Sequence, residues 1–181
     1  GAYTPFLWCF REREAILNMF EIVSGARLTY NYVRIGGVMR DVGADFLKRV
    51  DECCKSFPKR VTEYNELLTY NQIFISRTAS IGVLPKELAI AYGITGPILR
   101  ASGVALDVRK VEPYSGYEKY NFNIPVGLGK VGAVGDCWDR YWVRVQEMLE
   151  SLRIVEQAVA TLPKGEVVSK QLKKVIKTKK G

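Results

Sequence analysis

The sequence predicts a mainly α-helical protein, a helical bundle with a few short strands. Three observations carry that expectation. Tyr141, Val145, Met148, Leu152, Val155, Val159 and Leu162 step alternately by four and three residues, a sustained helical seam. Two further stretches, near residues 6–24 and 44–57, repeat their apolar residues at spacings of three, four and seven. β-rich sequence is confined to brief segments bounded by glycine or proline. With 181 residues, 48% of them hydrophobic and 25% charged, the chain has one domain's worth of length and enough apolar side chains for a core.

In chain order, Phe6 to Ser24 reads as a helix on Phe6, Phe10, Leu17, Phe20 and Val23, with Pro5 at its start and Gly25 as its stop. Thr29 to Val38 is β-rich and ends at the Gly36-Gly37 break. Ala44 to Phe57 reads as a second helix, with Leu47, Val50, Cys54 and Phe57 on one side. Pro58 is expected to interrupt it, after which Val61, Tyr64, Leu67 and Leu68 resume a helical spacing. Ile81 to Val83 and Gly96 to Leu99 read as short extended pieces, on either side of a short helix at Pro85 to Tyr92. Val104 to Pro125 reads as a long ordered loop with one or two strands, and such loops are often functional. The final helix begins at Asp136, a good N-cap, and ends at Pro163. At about 25 residues it is roughly 37 Å long, and its seam is expected to pack on the helices at 6–24 and 44–70.

Charge and composition narrow the chemistry. The formal net charge is +8, but Lys164 to Gly181 holds seven lysines against one acid, Glu166, and so carries +6 of it. The basic character is that of a tail, read first as a frayed, solvated terminus on a nearly neutral body. There is no histidine. That removes the commonest general base and the commonest metal ligand, and with them Ser-His-Asp and Cys-His catalysis unless a partner supplies the imidazole. Cys9, Cys53, Cys54 and Cys137 form no C-x-x-C pair and stand beside aromatic residues, as buried free thiols do. No metal site is expected. No apolar run approaches the roughly 20 residues of a membrane span. The absence of an initiator Met and of a signal peptide suggests processing, or a segment of something longer.

Four motifs have alternative readings. Gly127-x-Gly129-x-x-Gly132 matches a dinucleotide fingerprint and sits between a candidate strand, Phe122 to Val126, and a helix. Pro125 in that strand and the lack of βαβ alternation favour a flexible glycine loop instead. Arg11-Glu-Arg-Glu14 reads as a buried ion network or as an exposed helix face with i, i+3 and i+4 pairs, the latter favoured. Asp136, Asp139, Arg140 and Arg144 cluster where the long helix starts, and the two acids suit its dipole. Arg34-Ile-Gly36-Gly37 sets a cation beside bare backbone, either for close approach by a neighbour or ligand or as a structural turn.

Read together, the motifs carry a family likeness. They include Gly1-Ala-Tyr-Thr-Pro-Phe-Leu7, Phe10-Arg-Glu-Arg-Glu14, Val23-Ser-Gly-Ala-Arg-Leu28, Tyr32-Val-Arg-Ile-Gly-Gly-Val38 and Glu66-Leu-Leu-Thr69. Thr95-Gly-Pro97, Leu99-Arg-Ala-Ser-Gly-Val104, Asp107-Val-Arg-Lys110, Pro125-Val-Gly127, Gly135-Asp-Cys-Trp-Asp-Arg-Tyr141 and Arg144-Val-Gln-Glu-Met148 follow in order. This resembles the 49-kilodalton (D-type) subunit family of respiratory complex I, NADH:ubiquinone oxidoreductase, itself related to the large subunits of [NiFe] hydrogenases. The likeness covers about residues 1–165. It implies the hydrogenase-like core fold and divides the chain into a partial domain of that family, 1–163, and a basic tail, 164–181.

The resemblance also implies a function. Family members form one wall of a quinone-reduction cavity in the peripheral arm, opposite a terminal [4Fe-4S] cluster on a neighbouring subunit. The chain would thus serve an NADH:quinone oxidoreductase that couples electron transport to proton translocation, with no catalytic residue of its own. Thr4, Pro5, Phe6 and Leu7 match the helix start that lines the inner cavity, Leu7 standing where Phe is common. Thr29, Tyr30 and Arg34 fall near the terminal cluster; members commonly carry a His around 29–30, and here there is none. The family's quinone-facing His and Tyr, and the Asp that partners the His, belong upstream of Gly1, and its C-terminal return to the cavity belongs beyond Lys164. The 127–135 loop is longer than the family's turn. The implied cofactors are ubiquinone as substrate and the neighbour's cluster, with none bound by this chain alone. The implied partners are the terminal-cluster subunit, the 30-kilodalton-type subunit, the quinone-channel membrane subunit and chains supplying the missing ends, with no nucleic acid. The implied place is the matrix side of the mitochondrial inner membrane, or a bacterial cytoplasmic membrane face. Two alternatives stand beside this: a purely structural scaffold in the same complex, and a basic RNA- or membrane-binding protein.

Overall fold

A computed structural model describes residues 2–170. The part of the lysine-rich tail at 171–181 lies outside the described residues. Seven α-helices and one two-stranded hairpin make up the regular structure described, so the chain is mainly α as expected. The described residues divide into two compact units, 2–57 with 161–170, and Pro58–Ala160.

In the first unit, α1 spans Tyr3–Ser24. It begins three residues before Phe6, because a proline in the first turn lacks only an N–H that has no helical partner there. Gly25 closes it in the left-handed conformation (φ 77°), its N–H donating to Glu21 C=O at 2.7 Å. The β-rich stretch shrinks to an antiparallel hairpin, β1 (Val33–Arg34) and β2 (Gly37–Val38), with Arg34 opposite Gly37. Residues 167–169 lie along β2, bridged through Val168 and Gly37. That part of the tail is therefore docked, not frayed.

The helix α2 runs Ala44–Tyr64 straight through Pro58, contrary to the expected interruption. Proline removes one ladder hydrogen bond, and the rest of the helix keeps its own. The helical path then widens into a π-turn at Asn65–Thr69, where Tyr70 N–H reaches back five residues to Asn65 C=O at 3.3 Å.

The second unit departs most from the sequence reading. A helix the periodicity did not show, α3 (Gln72–Thr78), is started by Asn71, whose side-chain oxygen accepts from the N–H groups of Ile73 and Phe74. The short helix after Pro85 is present as α4 (Lys86–Ala91). Gly96–Leu99 is not extended; it opens α5 (Gly96–Ala101), with Pro97 in its first turn. Ile81–Val83 forms a bend with Gly82 at φ 59° instead of a strand. The 104–125 stretch contains no strand either, but α6 (Val108–Val111), capped by Asp107, and a 3₁₀ turn at Tyr117–Lys119. Phe122 to Val126 is likewise irregular.

The long helix α7 spans Cys137–Ala160 and ends just before Thr161. It packs on α5 and α3. The 44–70 stretch supplies Thr69, whose carbonyl accepts from Trp138 Nε1 at 2.9 Å and whose hydroxyl lies 3.0 Å from that of Tyr141. Ala101, Trp138, Trp142 and Val143 form the core of this unit. The predicted seam is buried at Val145 and fades outward, since Val155 and Leu162 are exposed.

Candidate functional site

The residues expected to line the quinone cavity occupy the first two turns of α1. The N-cap is Ala2, which offers no side-chain acceptor. Pro5 is buried, whereas Thr4, Phe6 and Leu7 face outward, Phe6 being 56% and Leu7 61% exposed. Tyr3 and Phe10 extend the same apolar surface, Phe6 meeting Phe10 edge to face at 4.9 Å. The hydroxyls of Tyr3 and Thr4, the Trp8 indole and the Cys9 thiol are the polar side-chain groups before Arg11. Such a surface can shape and hold an apolar ring, but it has no carboxylate, amine or imidazole with which to move a proton near neutral pH.

The residues expected near the terminal cluster lie beyond the other end of α1. Thr29 is held at φ 51°, a left-handed conformation rare for a β-branched residue, and its hydroxyl donates to Leu28 C=O at 2.7 Å. Tyr30 leans on Phe20, with ring centroids 4.6 Å apart. Arg34 is exposed in β1, its Nε donating to Asn31 C=O at 3.3 Å. Phe20, Val23, Tyr30, Tyr32, Val33 and Phe46 are among the residues around an apolar groove of about 500 Å³. Tyr32 donates to Arg40 C=O, and burial, helped by Asp41, pushes its phenol above the ordinary range. The two candidate groups are not brought together. Tyr30 packs on Phe20, which stands 14 residues of helix, about 21 Å, from Phe6.

Arg11, Arg13 and Glu14 are exposed, as favoured from sequence, while Glu12 is partly buried. Arg11 pairs with its neighbour Glu12 at 2.7 Å, and Glu14 reaches forward to Arg27, which also contacts Asn18 and Glu21. None of the four cysteines forms a disulfide, and they are not uniformly buried: Cys54 is, Cys53 and Cys137 are partly so, and Cys9 is exposed. Burial, with Glu12 nearby, pushes the Cys53 thiol up from 9.0. Among the described residues no cluster of three metal-ligating side chains occurs.

The glycine motif does not form a phosphate cradle. The N–H of Gly129 donates to Asp139 Oδ2 at 2.9 Å, and that of Ala133 to Asp136 Oδ2 at 3.1 Å. The amides that would face a phosphate thus meet the chain's own buried carboxylates. A Cβ on Gly127 would strike the carbonyl of Ala101 and stand 2.7 Å from Asp139 Oδ2. Asp136 caps α7 through Asp139 N–H (2.8 Å) and holds Ser80 N–H (2.7 Å) with its other oxygen. Asp139 Oδ1 has no donor among the described residues.

A buried charge network escaped the sequence reading. Arg100 in α5 pairs with Glu147 in α7 and donates to Leu106 C=O at 3.0 Å, with Asp107 at 3.7 Å. Asp107 also accepts from Arg109 at 2.6 Å, and the Arg109 guanidinium lies over Phe122, 4.8 Å from its centroid. The Arg109 hydrogen bond holds the Asp107 carboxyl below the usual carboxylate range. Glu147 lies 47 residues from Arg100. Their pairing leaves no local pattern.

A sequence profile described as "Respiratory-chain NADH dehydrogenase, 49 Kd subunit" matches residues 1–181. The chain is 51% identical over 166 residues to the D-type subunit of NADH-quinone oxidoreductase from Pelodictyon phaeoclathratiforme, a match covering 92% of this chain and 42% of that protein. It is 51% identical over 162 residues to a D-type subunit of the same enzyme from Cytophaga hutchinsonii, covering 90% and 41%. With the D-type subunit from Amoebophilus asiaticus it shares 50% over 162 residues, covering 90% and 40%. The chain therefore spans about two-fifths of the length of these relatives.

Proposed function

The chain belongs to the 49-kilodalton subunit family of respiratory-chain NADH dehydrogenase, and from that premise we propose that it is a core segment of an NADH:quinone oxidoreductase helping form its quinone-reduction cavity. The observation that supports the cavity reading is the start of α1, where Tyr3, Phe6, Leu7 and Phe10 expose an apolar stripe with exposed Thr4 at its edge. Contiguous exposed apolar side chains mark a surface that a ligand or partner covers. On this reading Thr4, Pro5, Phe6 and Leu7 shape the quinone pocket, while Thr29, Tyr30 and Arg34 lie toward the terminal [4Fe-4S] cluster of a neighbouring subunit. Electrons come from that cluster, and protons come from groups on other segments, since this chain brings no imidazole. Its partners are the terminal-cluster subunit, the 30-kilodalton-type subunit, the quinone-channel membrane subunit and polypeptide corresponding to the remaining length of the relatives. Residues 1–163 act as the partial family domain and 164–181 as its lysine-rich extension.

The quinone is ubiquinone or another quinone of the host membrane. The place is the peripheral arm, on the matrix or the bacterial cytoplasmic side. None of the described helices is long and apolar enough to cross a membrane.

A scaffold role is the second reading, favoured by the absence of a titratable side chain near neutral pH among Thr4–Leu7. Thr4→Ala and Leu7→Ala in the assembled complex separate the two. A KM for quinone raised several-fold with normal subunit content supports the cavity; loss of assembly with unchanged kinetics in the remainder supports the scaffold.

A further inference from the structure

The hairpin carries a third strand drawn from the far end of the chain. Val38 N–H donates to Val167 C=O, and Ser169 N–H donates to Gly36 C=O, each at 2.8 Å. These two bonds flank Gly37 and Val168, which therefore face each other as a non-hydrogen-bonded antiparallel pair, the closer of the two pairing types. On its other side Gly37 pairs with Arg34. Arg34, Gly37 and Val168 thus stand in one row across three strands. The row depends on glycine at its centre, because a Cβ on Gly37 would run into the carbonyl of Val167. Val167 and Val168 are half-buried and β-branched, suited to a strand, while Glu166, Ser169 and Lys170 are exposed.

β1 and β2 are only two residues each. A pair that short has too few bonds to hold its own register, and its open edge would present Gly36 C=O and Val38 N–H unpaired. We infer that the outer edge of β2 is a strand-accepting site occupied by residues 167–169 of this chain, and that this strap fixes the turn carrying Arg34. The tail's first residues therefore have a task that its lysine content does not reveal. The inference rests on the geometry of this unit alone and does not depend on the quinone reading.

Amide hydrogen exchange and heteronuclear NOE on the full chain test it. Ser169→Pro removes one strap donor without touching a buried side chain. Exchange at Val38 is expected to quicken about tenfold or more, and the NOE across residues 34–37 to fall. Gly37→Val is expected to act alike by blocking the approach of Val167. Ser169→Ala keeps the N–H and is expected to change neither readout. Unaltered Val38 exchange in Ser169→Pro, an unaltered NOE at 34–37, or acceleration in Ser169→Ala equal to that in Ser169→Pro would overturn the proposal.

Discussion

Asp107 and Thr29 show how much rides on single side chains. Asp107 is nearly buried between Arg109 and Arg100, and its carboxyl titrates below 3.8. A carboxyl with a depressed folded-state pKa adds stability above the unfolded value and loses it as pH falls through the folded one. The wild-type chain should therefore hold that increment at neutral pH and shed it below about pH 4. Asp107→Asn leaves two guanidinium groups short of a partner, which costs about 3 kcal/mol near pH 7. Urea titrations at a series of pH values should show that gap closing in acid. Thr29 poses the opposite case, since a β-branched residue at φ 51° stores backbone strain of about 1–3 kcal/mol. Asn tolerates that conformation, so Thr29→Asn should raise stability by about 0.5–1 kcal/mol, read as a higher urea midpoint. Neither effect was legible in the sequence. Composition shows that the chain has no histidine, but not the φ angle at which Thr29 sits, and Asp107 reads as one more polar residue until Arg109 closes on it.

At the scale of elements, the sequence read caps and long amphipathic helices well and short helices poorly. Asp136 was recognisable as the α7 cap because capping is local, set by one side chain and the next three amides. Gly25 closed α1 for the same reason. By contrast α5 and α6 are six and four residues long, too short for a periodic pattern; α5 packs on α7 and is tied to it by Arg100–Glu147, while α6 is capped by Asp107 and packs on the 3₁₀ turn at Tyr117–Lys119. Pro58 misled because one missing hydrogen bond does not outweigh the bonds and packing on either side of it. The glycine loop owes its conformation to two carboxylates a few residues further along the chain, and the two should respond differently to amidation. Asp136 accepts through both oxygens, so Asp136→Asn points an N–H at a donor and should cost about 1–3 kcal/mol. Asp139 accepts from Gly129 through Oδ2 alone, so Asp139→Asn can turn its NH₂ toward the vacant side and should cost less than about 1 kcal/mol. Thermal melts of the two variants side by side measure the difference.

At the scale of the molecule, family membership was readable because motifs from Gly1-Ala-Tyr-Thr-Pro-Phe-Leu7 to Arg144-Val-Gln-Glu-Met148 run collinearly, and the profile match over 1–181 agrees. What motifs do not give is geometry. They assign Thr4–Leu7 and Thr29–Arg34 to neighbouring functional surfaces, whereas Phe20, the residue on which Tyr30 packs, stands about 21 Å along α1 from Phe6. On the proposed reading the cavity and the cluster approach are two surfaces of one long helix and its following loop, each completed by other polypeptide. The missing histidine acquires a sharper meaning on that reading, in which the chain contributes shape and apolar contact to a reaction whose protons move elsewhere. The central claim is that the first two turns of α1 touch quinone. A photoreactive quinone analogue, crosslinked in the intact complex and mapped by peptide mass spectrometry, tests it most directly. Label on the peptide containing Thr4–Leu7, displaced by excess quinone, is the expected result; label that avoids residues 1–10 in a fully assembled, active complex would contradict it.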